Sequence, residues 1–249
     1  MKILGIDIGG SGIKGCPVDL ATGEFAEERL RIPTPKPATP EAVIETIYEI
    51  IDAFKWKGKV GCGFPGVIHQ NTIFTAANLD DSMLGFDLGG AITAKTGKPT
   101  RILNDADAAG LAEMHYGSGK GFNGVAVLIT VGTGLGTAMF HESQLVPNLE
   151  LGHLKLKHKG KFVDAEEIAA DSSRRAEDMS WGTWAKHFSK YLKYVHSLTR
   201  PELFLIGGGI AKKHDKFMDK LQSPCEVRTA TLENAAGIIG AAYAAKSAR

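Results

Sequence analysis

Short apolar runs separated by glycine and polar turns dominate the first hundred residues. Residues 2–7 read as a strand, a Gly-Gly break follows, and residues 13–20 resume as its hairpin partner. Apolar side chains then recur at helical spacing between residues 42 and 54, which predicts an amphipathic helix. Two further strands are predicted at residues 60–64 and 101–103, so strands alternate with helical sequence.

The second half of the chain begins much as the first does. Residues 125–130 form a predicted strand, "GTGLG" a glycine turn, and residues 137–140 a returning strand. The segment "LITVGTGLGTA" repeats the strand, glycine turn and strand of "GIDIGGSGIKG", which indicates two related halves. The later predictions are a helix at 181–197, a buried strand within "LFLIGGGI" at 203–210, and an alanine-rich closing helix at 234–246.

One uncharged stretch, residues 121–140, reaches the length of a membrane span. Its five glycines and its Asn and Thr side chains favour a buried strand, a turn and another strand instead. The whole chain of 249 residues carries 29 basic and 28 acidic side chains, a net charge of +1. Such a balance supplies no global field to recruit nucleic acid or a membrane surface.

The cysteines do not form a recognisable site. Cys16, Cys62 and Cys225 are far apart and odd in number, without the paired spacing of a zinc site or a redox pair. Unpaired cysteines of this kind are typical of a reduced, cytoplasmic setting.

Three glycine-rich turns, "GGSG", "GTGLG" and "GGG", each follow an apolar strand. Glycines let a backbone approach an anion closely and direct several amides at it, although a single such turn is equally typical of an ordinary hairpin. Ser11 and Thr133 add hydroxyl donors to the first two turns. Asp7 could hold a Mg²⁺ ion that prefers one or two carboxylates plus phosphate oxygens. Lys14 could neutralise phosphate or could be a solvated hairpin lysine.

The segment "ILNDADAAGLAE" places Asn104, Asp105 and Asp107 where a predicted strand meets a helix. Asn and Asp are favoured helix caps, because they accept hydrogen bonds from the first helical turn. One cap would satisfy that need, and strand-to-helix junctions of α/β proteins also hold ligands and catalytic groups. Capping and catalysis therefore both remain open from this segment alone.

Taken together, the motifs "GIDIGGSGIKG", "FPGV", "ILNDADAAGLAE", "TVGTGLG", "ELGH" and "LIGGGI" resemble those of the ROK sugar kinases, in the same order and across essentially the whole chain. More narrowly, the chain resembles the polyphosphate glucokinases of that family. The resemblance implies an α/β fold of two domains, the actin-like ATPase or ribonuclease H-like fold of the hexokinase, actin and Hsp70 superfamily, with an interdomain cleft. The expected domains are residues 1–105 plus 235–249, and residues 106–234.

The resemblance also implies a role for each matching residue. Asp105 would be the base that faces the sugar hydroxyl, and Asn104 beside it would hold the sugar, which leaves Asp107 as the cap. The other implied sugar contacts are Gly66, Asn78, Glu150 and His153. The implied donor-binding residues are Asp7, Gly9, Gly10, Ser11, Lys14, Thr130, Gly132, Thr133, Gly134, Gly207 and Gly208.

The sequence after His153 departs from the family pattern. Many ROK proteins continue with a cysteine cluster that binds a structural zinc and ends in a sugar-contacting Glu, whereas no cysteine follows here until residue 225. No zinc is therefore expected, and Glu167 is the residue that aligns with that Glu. His153 itself could equally be a core or surface histidine, but Glu150 three residues away makes a paired contact plausible.

Lysines alternate at positions 155, 157, 159 and 161, so in a strand they would share a face. Such a face is usually a solvated edge guarded against aggregation. For a polyanionic donor it could instead be a binding surface, and its removal should then weaken long polyphosphate more than ATP.

The function implied is phosphorylation of glucose to glucose 6-phosphate with inorganic polyphosphate or ATP and Mg²⁺, in a cytoplasmic homodimer that binds neither nucleic acid nor membrane. The alternatives are an ATP-only kinase for glucose, mannose or glucosamine, and a non-catalytic sugar-binding regulator. A DNA-binding repressor of the family is disfavoured because the first strand begins at Lys2, and a filament or chaperone-like ATPase because of "ELGH" and "NDADAAGLAE".

Overall fold

The computed structural model describes residues 1–76 and 79–248. The chain folds into two compact units. The first unit comprises Met1–Tyr116 and Ala235–Arg249, and the second comprises Gly117–Asn234. The division lies after Tyr116, where the sequence had suggested a boundary after residue 105.

The first unit is built on a mixed sheet with strand order β3-β2-β1-β5-β8, and β4 pairs with the outer side of β2. Strands β1 and β2 form an antiparallel hairpin, whereas β1, β5 and β8 are parallel. A separate ribbon joins β6 to β7. The strand bounds are β1 (Lys2–Gly9), β2 (Gly12–Asp19), β3 (Glu24–Phe25), β4 (Leu30–Ile32), β5 (Val60–Phe64), β6 (Ile68–His69), β7 (Thr72–Ile73) and β8 (Thr100–Asn104).

The second unit repeats this connectivity. Its sheet has the order β11-β10-β9-β14-β15, with an antiparallel β9–β10 hairpin followed by parallel strands, and β12 pairs with β13 in a separate hairpin. The predicted internal repeat is thus visible as shared strand topology. The bounds are β9 (Val125–Val131), β10 (Leu135–His141), β11 (Gln144–Val146), β12 (Lys155–His158), β13 (Lys161–Asp164), β14 (Leu203–Gly207) and β15 (Glu226–Thr229).

The α-helices of the described residues are α1 (Pro40–Ala53), α2 (Leu88–Thr96), α3 (Asp105–Tyr116), α4 (Glu166–Ala169), α5 (Asp171–Ala176), α6 (Trp181–Thr199) and α7 (Ala236–Ala244). Helix α1 begins two residues before the predicted start, because Thr39 caps it by accepting from the amide of Ala42 and Pro40 occupies the first helical position. In α6 the apolar face carries the fully buried rings of Trp184, Phe188 and Tyr191, which centre the core of the second unit.

Within the first unit, helix α7 packs against β5 and α3 at backbone-to-backbone distance. A Cβ atom on Gly61 of β5 would lie 1.8 Å from the carbonyl oxygen of Ala241, and one on Gly240 would lie 1.6 Å from that of Ala108 in α3. Only glycine fits at these two positions. Because α3 packs on α7 in this way, α3 belongs to the first unit, which explains why the division follows Tyr116 and not residue 105.

The uncharged stretch at 121–140 folds as predicted, since it forms β9, a turn and most of β10. Among the residues described, no helix combines the length and apolar character needed to cross a membrane.

Candidate active site

Asp105 is the first residue of α3 and follows directly on β8. The preceding residue, Asn104, caps the helix: its Oδ1 accepts from the amides of Ala106 at 2.8 Å and Asp107 at 3.0 Å. The prediction that Asp107 is the cap is therefore wrong. Asp107 lies inside the first turn and is only 1 % exposed.

Because Asn104 performs the capping, the Asp105 carboxylate is not required for it. Its Oδ1 accepts from the amide of Ala106 at 2.8 Å, and the side chain is only partly buried. The amino-terminal end of a helix stabilises a negative charge at this position. A proton acceptor thus sits at a fixed point on a rigid strand-to-helix junction.

The amide of Asn104 also ties β8 to the loop after β5. Its Nδ2 donates to the carbonyl oxygen of buried Gly66 at 3.2 Å. One of the two Nδ2 protons satisfies this contact, so the other could serve a ligand. Asn78, the remaining sugar contact predicted for this unit, lies outside the described residues.

Asp7 lies near the carboxyl-terminal end of β1, and Asp105 follows the carboxyl-terminal end of β8, which is parallel to it in the same sheet. Gly63 connects the two positions: it pairs with Asp7 in the parallel register, and a Cβ atom on it would be 3.6 Å from the Cα of Asp105. The Oδ2 of Asp7 is 3.0 Å from the Nζ of Lys14, across the β1–β2 hairpin. Two carboxylates therefore lie at the carboxyl-terminal ends of these parallel strands, and one of them is paired with a lysine.

The first glycine turn joins β1 to β2. Gly10 and Ser11 are exposed at its tip, and Gly9 is partly buried. The carbonyl oxygen of Gly9 accepts from the hydroxyl of Thr34, and that of Ser11 accepts from Nη2 of Arg31 at 2.9 Å. The turn is therefore anchored by Arg31 of β4 and by Thr34, which follows that strand.

The second glycine turn joins β9 to β10 in the other unit. The amide of Ser172, on α5, donates to the carbonyl oxygen of Gly132 at 3.1 Å, and its hydroxyl donates to that of Thr133. At the end of the turn, Oε2 of Glu166 accepts from the amide of Leu135 at 3.3 Å. Gly132 and Gly134 are partly buried, and Thr133 is exposed at the tip.

The third glycine turn lies beside the second. Gly207, the last residue of β14, pairs with Thr130 of β9 in the parallel register. Gly208 follows with φ of 76°, and a Cβ atom there would lie 2.6 Å from the backbone of Val131. The structure therefore brings the two predicted donor turns of this unit together. The predicted strand over 203–210 ends at Gly207 because this left-handed residue breaks it.

His153 lies in a short helical turn after β11, surrounded by three carboxylates. Its Nε2 is 3.9 Å from Glu150, and its Nδ1 is 3.8 Å from both Asp164 and Glu166. The predicted partner Glu150 is thus present, but Asp164 and Glu166 were missed by the sequence reasoning. The Lys155 ammonium, hydrogen-bonded to Asp164, lowers the pKa of that carboxyl, so it stays ionised beside the imidazole.

Glu167, the predicted sugar contact, forms a hydrogen bond with the backbone of Asp164. Its Oε1 accepts from the amide of Asp164 at 2.9 Å, at the start of α4, and the residue is exposed. The neighbouring Glu166 is the residue that lies beside His153. No sequence signal distinguishes the two, because the cysteine cluster that would fix the register is missing.

The four lysines predicted to share a face lie on the β12–β13 hairpin, here called the lysine hairpin (residues 155–164). The prediction holds for Lys155 and Lys157, which alternate with buried Leu156. Lys161 lies on the opposite face, because the chain turns at residues 159–160 and Lys161 becomes the cross-strand partner of His158.

Two of these lysines already have acidic partners. The Nζ of Lys155 is 2.6 Å from Asp164, and that of Lys159 is 3.8 Å from Glu177. The pairing favours a solvated, charge-balanced edge over a surface that binds a polyanion.

Metal ligands are sparse in the part of the chain that the structure describes. No group of three His, Cys, Asp or Glu side chains there could hold a metal ion. Asp7 offers a single carboxylate, which suits an ion bound mainly by water and substrate phosphates.

Comparisons with known proteins identify close relatives. A model of the ROK family matches residues 3–162. The polyphosphate glucokinase of Mycobacterium tuberculosis (strain CDC 1551 / Oshkosh) is 46% identical over 241 residues, which cover 96% of this chain and 89% of the relative. The structure of inorganic polyphosphate/ATP-glucomannokinase from Arthrobacter sp. strain KM is 42% identical, with a TM-score of 0.89 and 98% of each chain covered. A ROK family glucokinase from Streptomyces griseus, in complex with glucose and AMPPNP, shares the fold at 23% identity, with a TM-score of 0.83 over 99% of each chain.

Proposed function

The chain belongs to the ROK family, and we propose that it phosphorylates glucose at the 6-hydroxyl with inorganic polyphosphate or ATP as the phosphoryl donor. The observation that carries the proposal is the junction of β8 and α3. There Asn104 caps the helix, and the partly buried carboxylate of Asp105 is held at the first helical position.

In the proposed reaction, Asp105 accepts the proton of the 6-hydroxyl as the sugar oxygen attacks the terminal phosphorus of the donor. Phosphoryl transfer needs positioning and charge neutralisation more than covalent chemistry. A carboxylate that is fixed on a rigid junction meets the geometric requirement for a general base.

The sugar contacts are assigned by resemblance. By that resemblance, the residues proposed to orient the sugar hydroxyl groups are Asn104, Gly66, Glu150 and His153. Holding a reactive hydroxyl in line with the donor can supply roughly 7 to 11 kcal/mol of the barrier. We propose Glu166, in place of Glu167, as the additional carboxylate, since Glu166 lies 3.8 Å from His153.

The glycine turns are proposed to bind the donor phosphates through their backbone amides and the hydroxyl groups of Ser11 and Thr133. Asp7 fits Mg²⁺, because Lys14 contacts one of its two carboxylate oxygens and a single carboxylate suffices for an ion that keeps waters and phosphate oxygens as ligands. When bound, Mg²⁺ would neutralise charge on the transferred phosphoryl group.

An assay that crosses glucose, mannose and glucosamine with ATP and polyphosphate tests the proposal. The expected product is glucose 6-phosphate, formed with polyphosphate and with ATP. Turnover with ATP alone would favour the ATP-only hexose kinase. A folded protein that phosphorylates none of the three sugars with either donor would overturn the proposed function and favour the non-catalytic regulator.

Assembly as a homodimer and placement in the cytoplasm also remain predictions. Light scattering of the purified chain measures the first, and cell fractionation measures the second.

A further inference from the structure

The first glycine turn is held by an arginine that the family motifs do not include. Arg31 lies on β4, and its Nη2 donates to the carbonyl oxygen of Ser11 at 2.9 Å. Thr34, three residues later, donates to the carbonyl oxygen of Gly9. Strand β4 and the residue Thr34 after it thus engage carbonyl groups on both arms of the turn, while Gly10 and Ser11 stay exposed at its tip.

Gly12 makes room for the guanidinium of Arg31. A Cβ atom on Gly12 would lie 2.7 Å from Nε, 2.8 Å from Nη2 and 2.9 Å from Cζ of that side chain. Gly12 belongs to β2 and is not among the residues with positive φ, so any residue could adopt its backbone conformation. A side chain at Gly12 would therefore have to displace the Arg31 guanidinium.

Lys14 and Arg31, the two cations on this row of the sheet, differ in whether a carboxylate balances their charge. The cross-strand pairs Asp7 with Lys14 and Lys14 with Arg31 place the three side chains in one row on one face of the sheet. The charge of Lys14 is balanced by Asp7 at 3.0 Å. Arg31 is exposed, and within the described residues no carboxylate lies within ion-pair distance of it. The net positive charge at the turn is therefore that of Arg31.

We infer that Arg31 is a ligand for the donor phosphates, and that Lys14 instead holds Asp7. The inference deepens the proposed function and rests on it. A guanidinium has five N–H donors in a planar fork, so the contact with Ser11 leaves donors for phosphate oxygens. Because Arg31 is fixed to the turn itself, it binds the terminal phosphates that polyphosphate and ATP have in common, and not a distant part of the polyphosphate chain.

Arg31→Gln and its matched control Arg29→Gln test this. Arg29 is exposed, has the same charge and lies two residues earlier in the chain. The measurements are KM for ATP, tripolyphosphate and long polyphosphate, KM for glucose, melting temperature, and calorimetric binding of tripolyphosphate. For Arg31→Gln we expect KM and Kd for each donor to rise about tenfold, the scale of one charge-assisted hydrogen bond. KM for glucose, the melting temperature and every property of Arg29→Gln should stay near wild type.

Gly12→Ala supplies a second, independent perturbation. The new methyl group displaces the guanidinium without removing its charge, so donor affinity should fall in the same direction. If both substitutions act through the same contact, the double variant should bind tripolyphosphate no more weakly than Arg31→Gln alone.

Unchanged donor KM and unchanged tripolyphosphate binding in Arg31→Gln would overturn the inference and leave Arg31 as a support for the turn. A fall in melting temperature with equal losses for glucose and donors would also overturn it. If the wild-type protein phosphorylates no sugar, the proposed function fails, yet calorimetry with tripolyphosphate still decides whether Arg31 binds phosphate.

Discussion

Asp105→Asn separates the two explanations of the "NDADAAG" segment. Asn keeps an Oδ1 acceptor for the amide of Ala106, now at 2.8 Å, and the cap formed by Asn104 is untouched. The structural loss is the interaction of one charge with the helix dipole, about 0.3 to 1 kcal/mol. A loss of that size lowers the melting temperature by about 4 °C at most for a chain of this length.

The catalytic loss should be far larger. Removing a general base reduces the rate by about 10²-fold to 10⁴-fold, which corresponds to roughly 2.7 to 5.4 kcal/mol of transition-state stabilisation. The loss should appear in kcat, with glucose affinity nearly unchanged, because Asn still offers a hydrogen-bonding side chain of the same size. The expected loss of transition-state stabilisation is thus several times the expected loss in the free energy of unfolding.

The assay is turnover with saturating glucose and donor, together with glucose binding and thermal unfolding. Asp87→Asn is the matched control, because Asp87 caps α2 in the same unit by accepting from the amide of Gly90 at 2.8 Å. It should keep wild-type kcat. A stable Asp105→Asn variant with near-wild-type turnover would refute the catalytic assignment.

Three other outcomes follow from the packing and the charges. Gly240→Ala should reduce the free energy of unfolding by about 3 kcal/mol in urea titrations, because its Cβ would overlap the backbone of α3. Gly182→Ala on α6 should not, because its Cβ would meet only Oγ of Ser180, at 3.9 Å. Burial lowers the pKa of His115, and the charge of Lys246 lowers it further. As the pH falls, the imidazole therefore takes up a proton in the unfolded chain before it does so in the folded protein. The free energy of unfolding should be full above about pH 6.5 and decline below it. His115→Phe, which can keep the stacking on Tyr243, should weaken that decline in melting curves taken across this range; an unchanged pH profile would contradict it. Replacing the four lysines of the lysine hairpin with Gln should affect ATP and polyphosphate kinetics alike, and a selective loss with polyphosphate would revive a polyanion-binding role.

Much of the scaffold could be predicted from the sequence. The strand at 60–64 has the predicted bounds, and α6 begins at the predicted Trp181. Such elements are readable because their apolar periodicity is strong and glycine or polar residues interrupt it. The family resemblance and the two-domain α/β fold class are confirmed by the comparisons.

The site was harder to predict where two similar residues compete for one role. Asn104 and Asp107 are both good caps, and only the start of α3 at Asp105 decides between them. Glu166 and Glu167 are adjacent, yet Glu166 lies beside His153 whereas Glu167 accepts from the amide of Asp164. These choices depend on where an element begins, which is the least certain part of a sequence-based assignment.

Charge partners were likewise hidden from the sequence. Arg31 reaches the first turn because β4 pairs with β2, a long-range contact that no local pattern reveals. The prediction that the four lysines share one face was wrong for Lys161 for the same reason, because a run of alternating lysines does not reveal the turn that follows His158.

The close packing of α7 also has a consequence for the order in which the protein is made. Helix α3, which presents Asp105, rests on a helix that leaves the ribosome only after residues 117–234 have been translated. Domains generally fold as they emerge, and the second unit is continuous in the chain, so it can fold before the first is complete. The strand-to-helix junction that carries the proposed base therefore gains its support last, although its own residues are synthesised early.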